Sequence, residues 1–366
     1  MSTLPQWRRP MRARDTHEAH RVATPLELLF DLCFVVAIAR LGQLLHHSVA
    51  EHHVAHGIAG FLMTFFAVWW AWMNFTWFAS AFDTDDVPYR LTALLQIAGV
   101  LVLAAGVADA FEGDLRVVTL GYVIMRIGLT TQWLRAARGT AEVRRTALRM
   151  AAGVSACMVG WGLLLFTHGT THTLLFVVMA AAELSVPVWA ERPWPTPWHP
   201  HHIAERYGLL FIIVLGEVVL STTLAVQGGF AAGRLWWVAG AGLVIVFAFW
   251  WLYFERPVHH RLTGKRQAFV WGYGHFFVFA SAAALGAGLA VVLEDPEIAL
   301  LPVSIPVAVL LVALQALHLP RRLAWLTYAA AILVLGAGFF GQYALPVMAA
   351  VLAGLVATRV ATAPAR

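Results

Sequence analysis

The stretch ATPLELLFDLCFVVAIARLGQLL, residues 23–45, decides the fold. After its first few residues it is apolar for long enough to cross a hydrocarbon core, which takes about 20 residues. Two carboxylates, Glu27 and Asp31, stand near its front. TPLE reads as a capping box, with Thr24 as N-cap, Pro25 at the first helical position and Glu27 at the third. A carboxylate there also suits the positive end of the helix dipole. Asp31 lies one turn deeper on the same face, about 10 Å along the helix from Thr24. It is past the cap and near the hydrocarbon boundary, so it reads equally as part of a helix start and as a working acid.

Runs of the same kind recur along all 366 residues, which are 60% hydrophobic and 12% charged. A soluble domain has about 25% charged residues, and the mean hydropathy here is +0.72. The expectation is an all-α integral membrane protein. Splitting the apolar runs at charges, prolines and glycines predicts twelve transmembrane helices: 25–46, 57–80, 88–110, 115–135, 147–167, 171–190, 203–226, 234–255, 267–292, 298–317, 322–339 and 342–360. The polar, basic residues before the first run predict a retained helix rather than a cleaved signal. Cys33 and Cys157 both lie in apolar runs and suggest neither a disulfide framework nor a zinc finger.

The net charge of +5 comes from arginines in short loops, where they act as topology signals rather than nucleic-acid contacts. With the N-terminus in the cytoplasm, 21 of the 25 basic residues fall on inner segments. Arg116, Arg234 and Arg40 fall outside or near the outer end, and Arg126 lies inside a span. The outer loops are acidic or His-rich: HHSVAEHHVAH at 46–56, DAFEGD at 109–114 and EDPE at 294–297. Twelve spans with both termini inside preserve this asymmetry.

The two halves echo each other. TPLELLFDLCFVVAIARL opens the first and HIAERYGLLFIIVLGEVVLS the second, aligning Glu27 with Glu205. VWWAWMNF at 68–75 and FWWLYFER at 249–256 give each half a tryptophan pair in its second span. Six helices per copy make these parallel repeats. The expected layout is a basic tail (1–22), a first six-helix repeat (23–192), a Pro/Trp/His-rich linker (193–201), a second repeat (202–360) and a short tail (361–366).

An ionisable side chain inside a bilayer is expensive and points to function unless it pins helix packing or sits at a helix end. Glu217, in IIVLGEVVLS, is about 20 Å along its span. Arg126, in GYVIMRIGLTTQW, is mid-span, and an Arg126–Glu217 pair would neutralise both. Glu183 adds a further acid in 171–190. HPHHIAER spaces His201 and His202 at i,i+4 and i,i+3 from Glu205, which fits an interfacial helix start or a shared metal. In FDTDDVPYR, Asp86 fits a helix N-cap, while Asp83, Asp85, Asp86 and Arg90 together also fit a cation loop. His275, in WGYGHFF, is placed either to relay protons or to bond a neighbouring helix. Trp69, Trp70, Trp72, Trp77, Trp250 and Trp251 read as interfacial anchors. No nucleophile elbow, P-loop, zinc-protease or dinucleotide motif is present, so no enzyme, cofactor or metal is expected.

Five ordered segments, ELLFDLCFVVAIARL, WWAWMNFTWFASAFDTDDVPYR, HIAERYGLLFIIVLGE, WWLYF and YGH, together resemble the bacterial low temperature requirement A family over about residues 21–355. Leu29 and Cys33 depart conservatively from that family's usual opening, ELFFDLVFV. The resemblance implies a bacterial inner-membrane protein linked to growth in the cold and names no reaction. The Phe30-Asp31 pair is also similar to the Phe-Ser-Asp of two-repeat lysosomal potassium channels, without the serine, and the second repeat has YGLL at that point. The first expectation is therefore a transporter-like carrier of an ion or small solute. Its pathway candidates are Asp31, Arg126, Glu183, Glu217 and His275. Glu27, Asp83, Asp85, Asp86, Arg90, His202, Glu205 and Arg206 would sit at its cytoplasmic mouth. A cation channel and a non-transporting scaffold or lipid enzyme are the alternatives. The expected partners are the bilayer and the unidentified solute, not nucleic acid.

Overall fold

The computed structural model describes residues 7–15, 18, 21–228, 235–294 and 301–363. Arg234, Arg366 and positions 295–297 of the EDPE loop lie outside the described residues. The helices are α1 (Pro25–Ala50), α2 (Val54–Phe82), α3 (Val87–Ala105), α4 (Val107–Phe111), α5 (Arg116–Ala136), α6 (Ala141–Leu164) and α7 (Gly169–Ala190). They continue as α8 (Pro200–Gly228), α9 (Leu235–Phe254), α10 (Lys265–Glu294), α11 (Leu301–Leu317), α12 (Ala324–Ala337) and α13 (Ala344–Ala361). No strand occurs among the described residues.

Each apolar run expected to be a span carries a helix. Eight of them (α1, α2, α3, α5, α6, α7, α10 and α13 with the turn before it) are long and apolar enough to cross a bilayer. The run 88–110 is not one helix but two, α3 and α4, divided at Gly106. A Cβ at Gly106 would lie 2.7 Å from that of Val117, so the break sits where α5 passes close. Only Gly341 and Gln342 parted the last two expected spans. The structure separates α12 from α13 by a longer bend in which Gly341 takes φ +53°, a left-handed conformation that glycine adopts without strain.

The chain forms two compact units, residues 1–40 with 62–206, and residues 41–61 with 207–366. In the first, α5 packs between α3 and α6, and α6 packs on α7. Phe78, Phe82 and Trp133 make edge contacts in its core beside Met150 and Val154. Arg21 caps the end of α2 by donating to the carbonyl of Ala79 (2.7 Å), which also accepts the Asp83 amide (3.2 Å), and to that of Ser80 in the last turn. The segment before α8 is held down, with Thr146 donating to the Trp194 carbonyl and the His199 amide to Ser80 Oγ. In the second unit, α9 packs on α13, and α11 packs on both α10 and α12.

Glycines let α3 and α5 touch backbone to backbone, as small residues do in membrane helix pairs. A Cβ at Gly121 would meet the Leu103 nitrogen at 2.6 Å and the Gly99 oxygen at 2.7 Å. Alanine improves helix propensity by about 1 kcal/mol, but overpacking against backbone costs about 1–3 kcal/mol. Gly121→Ala is therefore expected to lower the unfolding midpoint of the purified protein. Gly162→Ala in α6, where a Cβ would meet nothing within 4 Å, should hold or raise it. Equal midpoints for the two variants would show that the α3–α5 contact is looser than described.

Candidate functional site

The capping box at the head of α1 forms as the sequence predicts. The Thr24 amide donates to Glu27 Oε2 (2.7 Å), and the Glu27 amide donates to Thr24 Oγ1 (3.3 Å). Glu27 does more than cap. It is fully buried, and its carboxylate meets His202 Nε2 and Arg206 Nη1 on the first turns of α8, each at 3.1 Å. One turn deeper, Asp31 receives a two-pronged approach from Arg206: Nε donates to Oδ2 (3.0 Å) and Nη2 to Oδ1 (2.5 Å). The Trp72 indole of α2 also donates to Oδ1, at 2.6 Å. Arg206 Nη2 reaches Thr76 Oγ1 at 3.3 Å.

This geometry follows from matched spacing. Glu27 and Asp31 are i,i+4 on α1, and His202 and Arg206 are i,i+4 on α8, so each pair presents one face. The planar guanidinium suits a carboxylate held by two parallel bonds. Two carboxylates thus face one permanent cation and one imidazole. Four polar atoms here make no hydrogen bond within the protein: Glu27 Oε1, Arg206 Nη1, His202 Nδ1 and the Tyr89 hydroxyl of α3. The Nη1–Oε1 approach is an ionic contact without hydrogen-bond alignment. Tyr89 is buried, with Asp83, Glu27, Arg206 and Arg21 as its charged neighbours.

The loop between α2 and α3 does not gather its acids around a common point. Asp86 caps α3 by accepting the Tyr89 amide (2.9 Å), and its other oxygen accepts the Arg9 amide (2.8 Å) and Arg135 (2.7 Å). Despite burial, these donors hold its carboxyl below the ordinary range. Asp85, at φ +46°, pairs with Arg90 at the surface (2.7 Å). Asp83 is buried and accepts the Asp85 amide (3.0 Å). Burial and then the Glu27 carboxylate push it from 3.8 up to about 6, against the pull of Arg21 and Arg14.

Between those two values the folded protein holds a proton that the unfolded chain has lost, so stability falls as pH rises through this interval. Asp83→Asn should remove that fall and melt higher than the parent above pH 7. Parallel melting-temperature curves for the two proteins from pH 4.5 to 8 would show that Asp83 titrates normally.

A second buried network ties four helices of the same unit. The Glu183 carboxylate of α7 accepts from Arg126 Nη2 of α5 (3.0 Å), Trp70 of α2 (2.8 Å) and Trp161 of α6 (3.2 Å). The sequence suggested Glu217 as the partner of Arg126. The ion pair is instead with Glu183, because α5, α6 and α7 are packed neighbours. The tryptophans also need correction. Trp69, Trp70 and Trp72 are buried, not interfacial, and two of them spend their N–H on buried carboxylates. Trp250 and Trp251 stay nearly half exposed.

Residues 22–364 match a family described as Bacterial low temperature requirement A protein (LtrA). The chain belongs to this family. An uncharacterized protein of Rhizobium meliloti (strain 1021), RA0937, is 27% identical over 239 residues, which cover 63% of this chain and 57% of that relative's length. No solved structure matches.

Two of the segments that carry the LtrA resemblance, through ELLFD and HIAER, supply the facing pairs of the buried site. Glu205, between His202 and Arg206, is partly exposed, and its Oε2 makes no hydrogen bond within the protein. Glu217 is partly exposed on α8. In the second unit, His275 donates from Nδ1 to the Trp271 carbonyl (2.7 Å), which leaves Nε2 as an acceptor. His318 Nε2 lies 2.9 Å and the Tyr253 hydroxyl 3.2 Å from that atom, whose one lone pair accepts from one of them at a time. Among the described residues no three His, Cys, Asp or Glu side chains are grouped to hold a metal ion.

The sequence placed Trp72 at the interface rather than in the site, and drew no attention to Thr76, Tyr89, Trp161, Tyr253 and His318. A usable signal existed for one pair: Trp72 and Thr76 are i,i+4, which puts two hydrogen-bonding groups on one face of an otherwise apolar helix.

Proposed function

We propose that this LtrA-family protein is a proton-coupled carrier of an ion or small solute in the bacterial inner membrane. In this reading the eight long apolar helices are joined by α8, α9, α11 and α12 to make twelve spans. Two parallel six-helix repeats then leave both termini in the cytoplasm. Gly113→Cys should be labelled by an impermeant thiol reagent on intact cells, and Arg138→Cys only after permeabilisation. The reverse pattern would overturn the topology.

The observation that supports coupling is the buried imbalance of two carboxylates against one guanidinium, with His202 bonded to the unmatched acid. Histidine is the side chain whose ordinary titration lies between pH 5 and 8. A proton on His202 would offset the unmatched acid, with Arg21 and Asp83 as the further charges beside it, and its loss would expose Glu27 to a competing cation or solute amine. Glu217 and His275 would serve as further pathway groups. Arg126 and Glu183 are matched to each other and to two indoles, which favours a clamp over a pathway role.

The test is solute-dependent proton movement in dye-loaded proteoliposomes, across a panel of alkali cations and amino acids. The carrier predicts a saturable response that His202→Gln abolishes while the variant still melts cooperatively. Unchanged flux in His202→Gln would sink the coupling. Single-channel currents in planar bilayers would instead establish the channel, and altered lipid composition without flux the lipid enzyme.

A further inference from the structure

The second unit contains a cavity of about 300 Å³ where the ends of α9 and α13 meet. Trp250, Trp251 and Phe254 form an apolar wall, and each is about two-fifths to one-half exposed. Glu255 and Arg359 form the floor. Arg359 is only 2% exposed. It donates from Nε to Glu255 Oε2 (2.8 Å) and from Nη2 to Oε1 (3.4 Å). Its third nitrogen, Nη1, makes no hydrogen bond within the protein. Arg256, half-exposed, stands 3.9 Å from the same carboxylate.

We infer that this cavity binds a phospholipid whose headgroup carries both a phosphate and a primary amine. Tryptophans at the end of an apolar helix belong at the level of lipid headgroups, so the wall suits the upper part of an acyl chain. The floor sets the Glu255 acceptor beside Arg359, whose Nη1 is covered and unused within the protein. A phosphate takes the free Nη1–H in a charge-assisted bond. A primary ammonium donates to Glu255, which a quaternary amine, lacking N–H, cannot do. A purely anionic headgroup satisfies Arg359 but meets the Glu255 carboxylate as a like charge. The site requires only that the protein lies in a bilayer, and is independent of any carrier activity.

Native mass spectrometry of the full chain, released from micelles doped with equal amounts of phosphatidylethanolamine, phosphatidylcholine and phosphatidylglycerol, tests this. The expected result is retention of phosphatidylethanolamine about tenfold over phosphatidylcholine, the worth of one charge-assisted hydrogen bond. Glu255→Gln should erase that preference, and Trp251→Ala, at an exposed position, should reduce retention of all three lipids. Equal retention by the parent protein, or an undiminished preference in Glu255→Gln, overturns the proposal. So does complete displacement of the lipid by equimolar free phosphoethanolamine, which would make the ligand a soluble headgroup.

Discussion

Arg206→Ala is expected to destabilise the protein by about 3–5 kcal/mol, the cost of breaking a buried ion pair from one side. Arg206 is fully buried and supplies two of the three hydrogen bonds that Asp31 receives. Its removal leaves Asp31 with Trp72 alone, and Glu27 with His202 and its Thr24 cap but no permanent cation. Arg206→Lys keeps the charge but not the fork, since an ammonium is a compact point charge, and should lie between the parent and the alanine variant. Asp31→Leu combined with Arg206→Met removes both partners and should recover much of the loss. Recovery will be incomplete, because the buried Glu27 then has no permanent cation and the Trp72 N–H is orphaned at about 1–3 kcal/mol. Denaturant-titrated unfolding of the purified protein measures the series. A loss under about 1 kcal/mol in Arg206→Ala, the value of an exposed pair, would mean that water reaches the site freely.

Glu183→Ala should cost a similar 3–5 kcal/mol or so. It strips Arg126 of its carboxylate and orphans the indole N–H groups of Trp70 and Trp161 together. Glu183→Gln restores an acceptor but not the charge, so a cation remains unbalanced in the interior and the variant should stay well below the parent. Arg126→Met with Glu183→Leu distinguishes clamp from pathway. A clamp predicts recovered stability with flux unchanged, and a pathway element predicts recovered stability with flux lost. If Glu183→Ala unfolds at the parent's midpoint, the four-helix tie contributes nothing.

Local features were legible in the sequence because they depend on neighbours a few residues away. The cap at Thr24 and Glu27, the Asp86 cap of α3 and the end of α12 near Gly341 need only backbone geometry and nearby side chains. The ionisable residues Glu27, Asp31, His202 and Arg206 were also visible, since charge in an apolar run is conspicuous. The role of each was not. Glu27 looked like a cap and is both a cap and half of a buried cluster. The tryptophans misled because composition places them at interfaces on average, whereas a buried carboxylate needs a donor and an indole supplies one.

The sequence by itself determined that this is a helical membrane protein, where most of its helices begin and end, and the family to which it belongs; the start of α6 at Ala141 and the break at Gly106 were not among those ends. Apolar run length and capping are properties of contiguous chain, and they settle those matters before any helix meets another. Only the tertiary structure decided which acid meets which base. Asp31 and Arg206 are 175 residues apart, Trp70 and Glu183 are 113, and Arg126 and Glu183 are 57. Spacing along one helix shows which side chains share its face. The face opposite is set by how side chains of different helices interlock, and that arrangement gave Arg126 to Glu183 and turned the indoles of Trp70 and Trp72 inward.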